Sequence, residues 1–519
     1  MPSGVDHSRK AQATTRKQPL LLLIDAKRAM RAQLELAVKR LRERQERLAV
    51  VATMLLISTG PVASCTSTQT PLTTASASQA PATSNPTPAE WTTYMGDQAR
   101  TGIGPTSPTA STAHRTWTAH VDGDVYAEPL VTGLTVIVAT ERDTIYSLDA
   151  ATGAVIWRTH LGEPVPLSRL ECGNIDPNGI TSTPVVDKAA GFVYAVGMLT
   201  SPTRHELFAL RLSDGSVGWH RVVDPPIGDP GHHQQRGSLN LSRGRIYFSY
   251  GGFTGDCGKY HGWVVAVPVD GTSALISWQV PSVNGGAIWA PPGPVISGDG
   301  DVWVTTGNTD VQNPNGRYDG AHAVYRLTAD LTPVDQWASK NWVDLNVDDI
   351  DLASMSPALL PSGLVLAVGK EGQGYLLRQS RLGGIGGEVF SDHACQTGGP
   401  TLGAFGGAAV VGAMVFVPCK DGLNALRINV SAPSFALVWH AAPYANSPVL
   451  AYGLLWTVVS NAGTYRGHWT GKLVGLDPAS GAIQASIQLG PVPHYPSPAA
   501  GGGSLYVSGE GLVYALSVT

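Results

Sequence analysis

Hydrophobic and polar residues alternate along short segments that recur throughout the chain beyond residue 90. The clearest segment spans residues 143–157 (DTIYSLDAATGAVIW), with an alternating run, a turn that contains glycine, and a second run that ends in tryptophan. Residues 205–219 (HELFALRLSDGSVGW) repeat this order. A period of two predicts strands with one buried face, so each segment indicates a strand–turn–strand unit. Weaker copies begin near residues 261, 321, 372, 422, 472 and 511.

Two further apolar runs precede each copy, for example residues 125–130 and 136–140 before the first. The repeating unit is therefore four short strands, A to D, and such units at a spacing of roughly 50–60 residues are typical of propeller blades. The eighth copy stops after one strand, and residues 115–121 supply the missing one, with Trp117 at the tryptophan position of the repeat.

The sequence thus predicts an all-β, eight-bladed β-propeller of four-stranded blades over residues 91–519. The N-terminal strand pairs with the C-terminal blade, and this closure leaves no open sheet edge. We expect the tryptophans of the repeat to pack between neighbouring blades rather than to contact a ligand.

Composition agrees with many short strands joined by turns. The 519 residues include 60 glycines and 37 prolines, a density that would interrupt helices throughout the chain. Hydrophobic residues make up 43% of the chain, enough for a large core, so a disordered protein is excluded.

Charge divides the chain into two unlike parts. Residues 1–47 carry a net charge of +7, since 12 Lys and Arg stand against 5 Asp and Glu. The remaining residues carry −11, with 23 basic and 34 acidic side chains. Nucleic-acid binding needs clustered basic residues, so an acidic body excludes nucleic acid as the main partner.

The first 65 residues read as an export signal with an unusually long basic region. An apolar run at residues 48–59 is shorter than the ~18–20 residues that span a bilayer core. Residues 62–65 (VASC) resemble a bacterial lipobox, which implies that Cys65 is diacylated and becomes the mature N-terminus. Residues 66–90, rich in Ser, Thr, Pro and Ala, predict a flexible linker. We therefore expect a lipid-anchored protein on the extracytoplasmic face of a bacterial cell membrane; a signal-anchor helix with an incidental cysteine is the alternative.

The chain contains four further cysteines, and this even number is consistent with two disulfides in an exported protein. In a propeller the D-to-A and B-to-C loops lie on the same face. Cys172 precedes strand A of blade 2 and Cys257 follows strand B of blade 3, whereas Cys395 and Cys419 flank strands A and B of blade 6. We predict the disulfides Cys172–Cys257 and Cys395–Cys419. A zinc site is the alternative, but no Cys-x-x-Cys or His-x-x-His spacing supports it.

The turns at residues 149–153 and 477–481 follow the pattern Asp-x-x-Thr/Ser-Gly. Eight repeats with such turns resemble the pyrroloquinoline-quinone (PQQ) repeat propellers over about residues 91–519. Within them, residues 172–177, 179–181, 260–263, 369–377 and 382–387 are similar to secreted, lipobox-bearing bacterial PQQ-like proteins of unassigned activity.

Residues 251–372 also resemble, in order, landmarks of the PQQ-dependent alcohol dehydrogenases. These are a Gly-Gly-rich loop with Asp256, a Thr-Gly-Asn turn that ends at Asn308, an acidic pair at Asp349 and Asp351, and Lys370 near a glycine. The resemblance implies that Asp256 and Asn308 bind calcium, that Asp349 or Asp351 is the base, and that Lys370 contacts PQQ.

This chain departs from that enzyme family at three points. The adjacent cysteine pair is absent because Cys172 follows Glu171, Asp256 stands where the family has a longer Glu, and no Cys-x-x-Cys-His haem motif occurs. Each landmark also has a purely structural interpretation: a strand-ending turn at Asn308, solvated loop carboxylates, and a surface turn at Lys370.

Two functions from different classes follow from these features. The first is a binding module at the cell envelope that presents one loop-rich face to a protein or a small-molecule ligand. The alternative is a calcium- and PQQ-dependent dehydrogenase that oxidises alcohols or sugars.

Overall fold

The computed structural model describes residues 90–107, 109–311, 316–399, 402–441, 444–460 and 469–519. The predicted signal segment, Cys65 and the linker up to residue 89 lie outside these residues. Among the residues described there is no helix both long and apolar enough to cross a bilayer. Short strands form nearly all of their regular structure, as the alternating pattern predicts.

The described residues form eight sheets arranged as an eight-bladed β-propeller, which confirms the predicted fold. The first strand is β1 (Ala113–His120), and blades 1 to 3 follow it: β2 (Leu130–Thr132), β3 (Thr135–Thr140), β4 (Thr144–Asp149) and β5 (Val155–His160) form blade 1; β6 (Val185–Asp187), β7 (Phe192–Leu199), β8 (Arg204–Arg211) and β9 (Val217–Val222) form blade 2; β10 (Asn240–Ser242), β11 (Arg245–Tyr250), β12 (Trp263–Pro268) and β13 (Ile276–Gln279) form blade 3. Blade 4 contains β14 (Val295–Ile296), β15 (Val302–Thr305), β16 (Ala323–Leu327) and β17 (Pro333–Ala338), and blade 5 contains β18 (Ala358–Leu359), β19 (Leu364–Val368), β20 (Gln373–Arg378) and, after β21 (Gly384–Ile385), β22 (Phe390–His393). The last three blades are blade 6, with β23 (Ala409–Val411), β24 (Met414–Cys419), β25 (Gly422–Asn429) and β26 (Ser434–Ala441); blade 7, with β27 (Val449–Ala451), β28 (Leu454–Ser460), β29 (Trp469–Leu476) and β30 (Ile483–Val492); and blade 8, with β31 (Ala499–Gly501), β32 (Ser504–Ser508) and β33 (Leu512–Val518).

Helical structure is confined to short turns within the described residues. They are the α-helix α1 (Trp342–Val347) and the 3₁₀ turns Tyr94–Gly96, Leu167–Arg169, Pro230–His232 and Leu352–Ser354.

Strand burial follows position in the blade. The B and C strands of blade 1, TVIVAT and TIYSLD, are buried along nearly their whole length because blades pack against both of their faces. The outer D strand, VIWRTH, exposes most of its side chains and keeps Trp157 buried. The A strands of neighbouring blades contact one another and line the axis of the ring.

The ring closes as predicted, because β1 completes blade 8. It pairs antiparallel with β33, from Ala113 opposite Val518 to His120 opposite Leu512. Trp117 is buried, and its indole N–H donates to the carbonyl of Ala150 in blade 1 at 3.0 Å.

The repeat tryptophans pack between blades, as expected. The Trp157 indole donates to the Leu212 carbonyl in blade 2 at 2.9 Å. A Cβ added to Gly153 or Gly215 would lie 2.7 or 2.4 Å from the ring of the tryptophan that packs on it, and both glycines have φ above +70°. The glycine of the repeat is therefore needed both for the turn and for the ring that covers it.

Blade 4 departs from the predicted four strands. The segment between strands C and D of blade 5 forms β21, which pairs in parallel with β17 and gives this sheet five strands. The Trp337 indole of β17 donates to Glu388 at 2.9 Å, which further joins blades 4 and 5.

Both predicted disulfides are present. Cys172 and Cys257 have Cα atoms 6.1 Å apart, and Cys395 and Cys419 have Cα atoms 5.7 Å apart. Each pair joins a loop before strand A to the end of a strand B, as the shared face of these loops predicts.

An N-terminal segment that the sequence did not reveal crosses the ring at its axis. Residues 91–102 form hydrogen bonds with the A strands of blades on opposite sides of the ring. Backbone bonds of 2.7 to 2.9 Å join residue 91 to 131, 92 to 186, 98 to 296, 101 to 410 and 102 to 450. The segment therefore closes the axis below the loops that precede the A strands.

Candidate functional site

The candidate site lies on the face formed by the D-to-A and B-to-C loops. Strands alternate in direction, so both kinds of loop meet at the same end of the ring, and those nearest the A strands surround the axis. Two groups of side chains lie there. The carboxylate–lysine cluster comprises Asn308, Asp349, Asp351 and Lys370, and the axial cluster comprises Tyr126, Arg236, Trp289, Phe405, Lys420, Trp469, His494 and Tyr495.

The carboxylate–lysine cluster brings together four of the five residues that sequence resemblance singled out. Lys370 Nζ lies 2.7 Å from Asp351 Oδ2 and 3.1 Å from Asp349 Oδ1. The Asn308 side-chain amide donates to Asp349 Oδ1 at 2.7 Å, and the Asn308 backbone N–H donates to Asp351 Oδ1 at 2.8 Å.

Burial differs among these residues. Asp351 and Lys370 are each 7% exposed, so neither is the solvated carboxylate or surface turn residue of the purely structural interpretation. The Asp349 side chain is 59% exposed. Burial and the Asp351 charge raise the pKa of Asp349, which Lys370 and Asn308 partly oppose. Burial alone would lower the pKa of Lys370, but Asp351 and Asp349 raise it well above its ordinary value.

Asp256, the fifth residue, lies on an exposed loop beside this cluster. The Tyr260 hydroxyl donates to Asp256 Oδ1 at 2.6 Å. Desolvation of the carboxyl group, with smaller effects of Asp351 and Asp349, raises the pKa of Asp256 to about 6.

The side chains do not by themselves fit a calcium ion. Calcium takes 6–8 oxygen ligands. Asn308 offers a buried Oδ1 without a hydrogen-bond partner among the described residues, but Asp349 and Asp351 are already ion-paired with Lys370. The described residues also contain no group of three or more His, Cys, Asp or Glu side chains placed to hold a metal. A metal here would need most of its ligands from another molecule.

The axial cluster has a buried lysine at its centre. Lys420 is 6% exposed, and its Nζ has no hydrogen-bond partner in the part of the chain that the structure describes. The Nζ lies 5.0 Å from the ring centroid of Tyr495, 5.1 Å from that of Phe405 and 5.6 Å from that of Trp469. Burial lowers the pKa of Lys420 to about 8.

Aromatic rings connect this lysine to the carboxylate–lysine cluster. Phe405 and Tyr495 stack with their centroids 5.6 Å apart and their planes at 10°. Trp289 packs 6.2 Å from Phe405, and Lys370 Nζ lies 5.7 Å from the Trp289 ring. Trp289 and Tyr495 are only half-buried, so the rings are open to solvent on the loop face.

A second cation of the axial cluster, Arg236, has no ion pair with another described residue. It is 7% exposed, donates to the Thr181 carbonyl at 2.9 Å and lies 6.0 Å from the Tyr126 ring. Burial, and then the charges of Arg236 and Lys420, lower the pKa of His494 to about 4, so this histidine is neutral at pH 7. No ion pair of Arg236 or Lys420 with another described residue occurs.

Asp124, Glu141 and Glu510 are acidic residues near Tyr126 of the axial cluster. Glu141 takes, in the B-to-C turn of blade 1, the place that Lys370 and Lys420 take in blades 5 and 6. It is 5% exposed, and burial raises its pKa to about 8. Glu141 is therefore mostly protonated at pH 7.

Sequence reasoning missed the axial cluster, although the repeat contains a signal for it. Lys370 and Lys420 occupy the same Lys-Glu/Asp-Gly turn after strand B of consecutive blades. Likewise, Tyr126, Arg236 and Phe405 each stand four residues before the first residue of a strand A. Aligning the blades by their strands would have shown that these positions face the axis together.

Comparisons with known proteins agree with this architecture. Residues 106–312 match the family model described as outer membrane protein assembly factor BamB. No curated protein sequence matches the chain significantly. The chain is a PQQ-like β-propeller.

Solved structures with the same fold include three alcohol or methanol dehydrogenases. Quinohemoprotein alcohol dehydrogenase ADHIIG from Pseudomonas putida HK5 is 12% identical, with a TM-score of 0.63 over 83% of this chain and 80% of that chain. Quinohemoprotein alcohol dehydrogenase from Comamonas testosteroni is 14% identical, with a TM-score of 0.60 over 82% of this chain and 80% of that chain. A europium-containing methanol dehydrogenase is 14% identical, with a TM-score of 0.62 over 83% and 98%. At such identities the likeness shows the fold alone.

Proposed function

We propose that this PQQ-like β-propeller is a binding module whose axial cluster takes an anionic ligand with a flat, conjugated group. The observation that carries the proposal is Lys420, a buried ammonium group without an acceptor at the centre of three aromatic rings. Buried charges are ordinarily paired, so an unpaired one at an open site favours a ligand of opposite charge.

The surroundings of Lys420 support the same ligand chemistry. Arg236 adds a second cation, and a guanidinium group suits the planar geometry of a carboxylate. The half-buried rings of Trp289 and Tyr495 offer faces on which a flat group can stack. The segment at residues 91–102 closes the axis below, so the ligand enters from the loop face.

The test is a fluorescence titration of the purified protein with benzene-1,4-dicarboxylate, using the signal of the site tryptophans. We expect saturable binding that weakens with added salt, and at least tenfold weaker binding by Lys420→Met. The exposed Lys340 is the matched control, and Lys340→Met should bind as the unchanged protein does. Equal affinity of all three proteins would contradict the proposal.

We further propose that the module is attached through Cys65 to the outer side of a bacterial cell membrane. The lipobox-like residues 62–65 support this location. Glu90, the first described residue, forms an ion pair with Lys188 in the A-to-B turn of blade 2. That turn lies at the end of the ring opposite the axial cluster.

A PQQ-dependent dehydrogenase is the second candidate. It is favoured by the contacts of Asn308, Asp349, Asp351 and Lys370 and by the unpartnered Asn308 Oδ1. Adding PQQ and calcium and following dye reduction with alcohols or sugars tests it. Turnover that is lost in Asn308→Ala would establish the dehydrogenase function. PQQ binding without turnover would support the binding module instead.

A further inference from the structure

Two lysines at equivalent positions of neighbouring blades have opposite surroundings. Both stand after strand B in a Lys-Glu/Asp-Gly turn and both are nearly buried. Lys370 lies between two carboxylates at 2.7 and 3.1 Å, which hold it as an ammonium ion. Lys420 Nζ has no hydrogen-bond partner among the described residues and lies over the rings of Phe405, Trp469 and Tyr495.

A lysine without an acceptor in an apolar enclosure has the properties of a nucleophile. The neutral amine carries the lone pair that attacks carbon, and desolvation favours the neutral form over the ammonium ion. At pH 7 a lysine with a pKa of about 8 is neutral in about a tenth of the molecules, compared with about one in 2,500 for an ordinary lysine.

We propose that Lys420 forms an imine with an aromatic aldehyde or ketone bound at the axial cluster. The inference rests on the proposed ligand site and adds the reacting group. The Nζ lone pair forms a bond to the carbonyl carbon, the amine gives up two protons, and the carbonyl oxygen leaves with them as water. The product is a C=N bond; nothing is oxidised or reduced, so no further reactant is needed.

The neighbours of Lys420 define the class of ligand. Phe405 and Tyr495 are stacked with planes at 10° beside the amine, which suits a flat ring attached to the carbonyl group. Arg236, whose charge acts on His494 together with that of Lys420, suits a carboxylate on the same ligand. An aromatic aldehyde that bears a carboxylate combines both features.

The probe is 4-formylbenzoate. Benzene-1,4-dicarboxylate serves as the unreactive analogue, because it has a carboxylate in place of the aldehyde and cannot form an imine. The full protein is incubated with the aldehyde at pH 7 in the presence of cyanoborohydride, which reduces an imine to a stable amine. Peptide mass spectrometry then gives the yield at each lysine. Lys370 and the exposed Lys259 and Lys340 are internal controls, so the result does not depend on the folding of a variant.

We expect the adduct at Lys420 to exceed that at any control lysine at least tenfold, and an excess of benzene-1,4-dicarboxylate to suppress it. An adduct yield at Lys420 no higher than at Lys340 would overturn the inference. If the dicarboxylate binds but the aldehyde leaves no adduct, the reactive lysine is refuted while the binding site stands. If a neutral aldehyde such as benzaldehyde reacts equally well at Lys420 and the dicarboxylate does not bind, the anionic site is refuted while the nucleophile stands.

Discussion

Replacing Lys420 by methionine should stabilise the fold at neutral pH while it weakens ligand binding at least tenfold. Methionine keeps the length and the apolar part of the side chain and removes the charge that burial disfavours. A residue whose removal stabilises the protein is retained for function rather than for folding. The prediction therefore separates a ligand site from a structural cluster.

The magnitude follows from the position of Lys420. Burial lowers its pKa from the ordinary 10.5 to about 8, which corresponds to about 3 kcal/mol, since each pH unit is worth about 1.4 kcal/mol. The ring contacts of the ammonium group offset about 1 to 2 kcal/mol of this penalty. We expect Lys420→Met to raise the free energy of unfolding by about 1 to 2 kcal/mol at pH 7.

The sign of the pH dependence provides a second check. Below pH 8 Lys420 is protonated in both the folded and the unfolded protein, so the full cost of burying its charge lowers the free energy of unfolding. Between about pH 8 and 10.5 the unfolded chain binds more protons, and the unfolding free energy of the unchanged protein rises with pH. The advantage of Lys420→Met should therefore shrink over this range and vanish near pH 10.5.

Urea denaturation at pH 7, 9 and 10.5 measures the effect, with Lys370→Met as the contrasting variant. Removing Lys370 leaves the buried Asp351 without its cation, and loss of one partner of such a pair costs about 3 kcal/mol or more. The two variants should shift the urea midpoint in opposite directions at pH 7. Destabilisation by both would refute the reasoning, because Lys420 would then have a partner that stabilises its charge.

Three other predictions concern single residues. Burial raises the pKa of Glu128 to about 7, so the unfolding free energy should fall from about pH 4.5 to 7, and Glu128→Gln should flatten this slope in urea titrations. Gly153→Ala should lower the thermal midpoint more than Gly133→Ala, because both have positive φ but only the Gly153 methyl would meet Trp117, at 2.7 Å; equal losses would contradict the packing argument. Cys65→Ser should release the protein to the medium, and unchanged membrane retention would count against lipidation.

The sequence specified the ring because the ring is a repeat. The alternation of hydrophobic and polar residues predicted the strands, and the incomplete last repeat predicted ring closure through the strand that contains Trp117. The face shared by the D-to-A and B-to-C loops predicted both disulfides. It did not reveal the segment at residues 91–102, which binds the A strands mainly through backbone atoms and therefore has no periodic side-chain pattern.

The candidate site was predicted only in part for a related reason. Family landmarks identified Lys370 and the acids beside it, but nothing local distinguishes the turn of Lys370 from that of Lys420. Their difference arises from residues distant in sequence, since Lys370 meets Asp351 from the preceding loop and Lys420 meets Tyr495 from blade 8. Only the closed ring brings these groups together.

The most direct test of an anion site at Lys420 is the number of protons taken up when benzene-1,4-dicarboxylate binds at pH 8. Calorimetric titrations in two buffers with different ionisation enthalpies give this number. A bound carboxylate favours the ammonium form, so the unchanged protein should take up about half a proton, because about half of its Lys420 side chains are neutral at this pH. Lys420→Met should take up about half a proton less than the unchanged protein. Binding without proton uptake, or equal uptake by both proteins, would contradict the assignment of the axial cluster as an anion site.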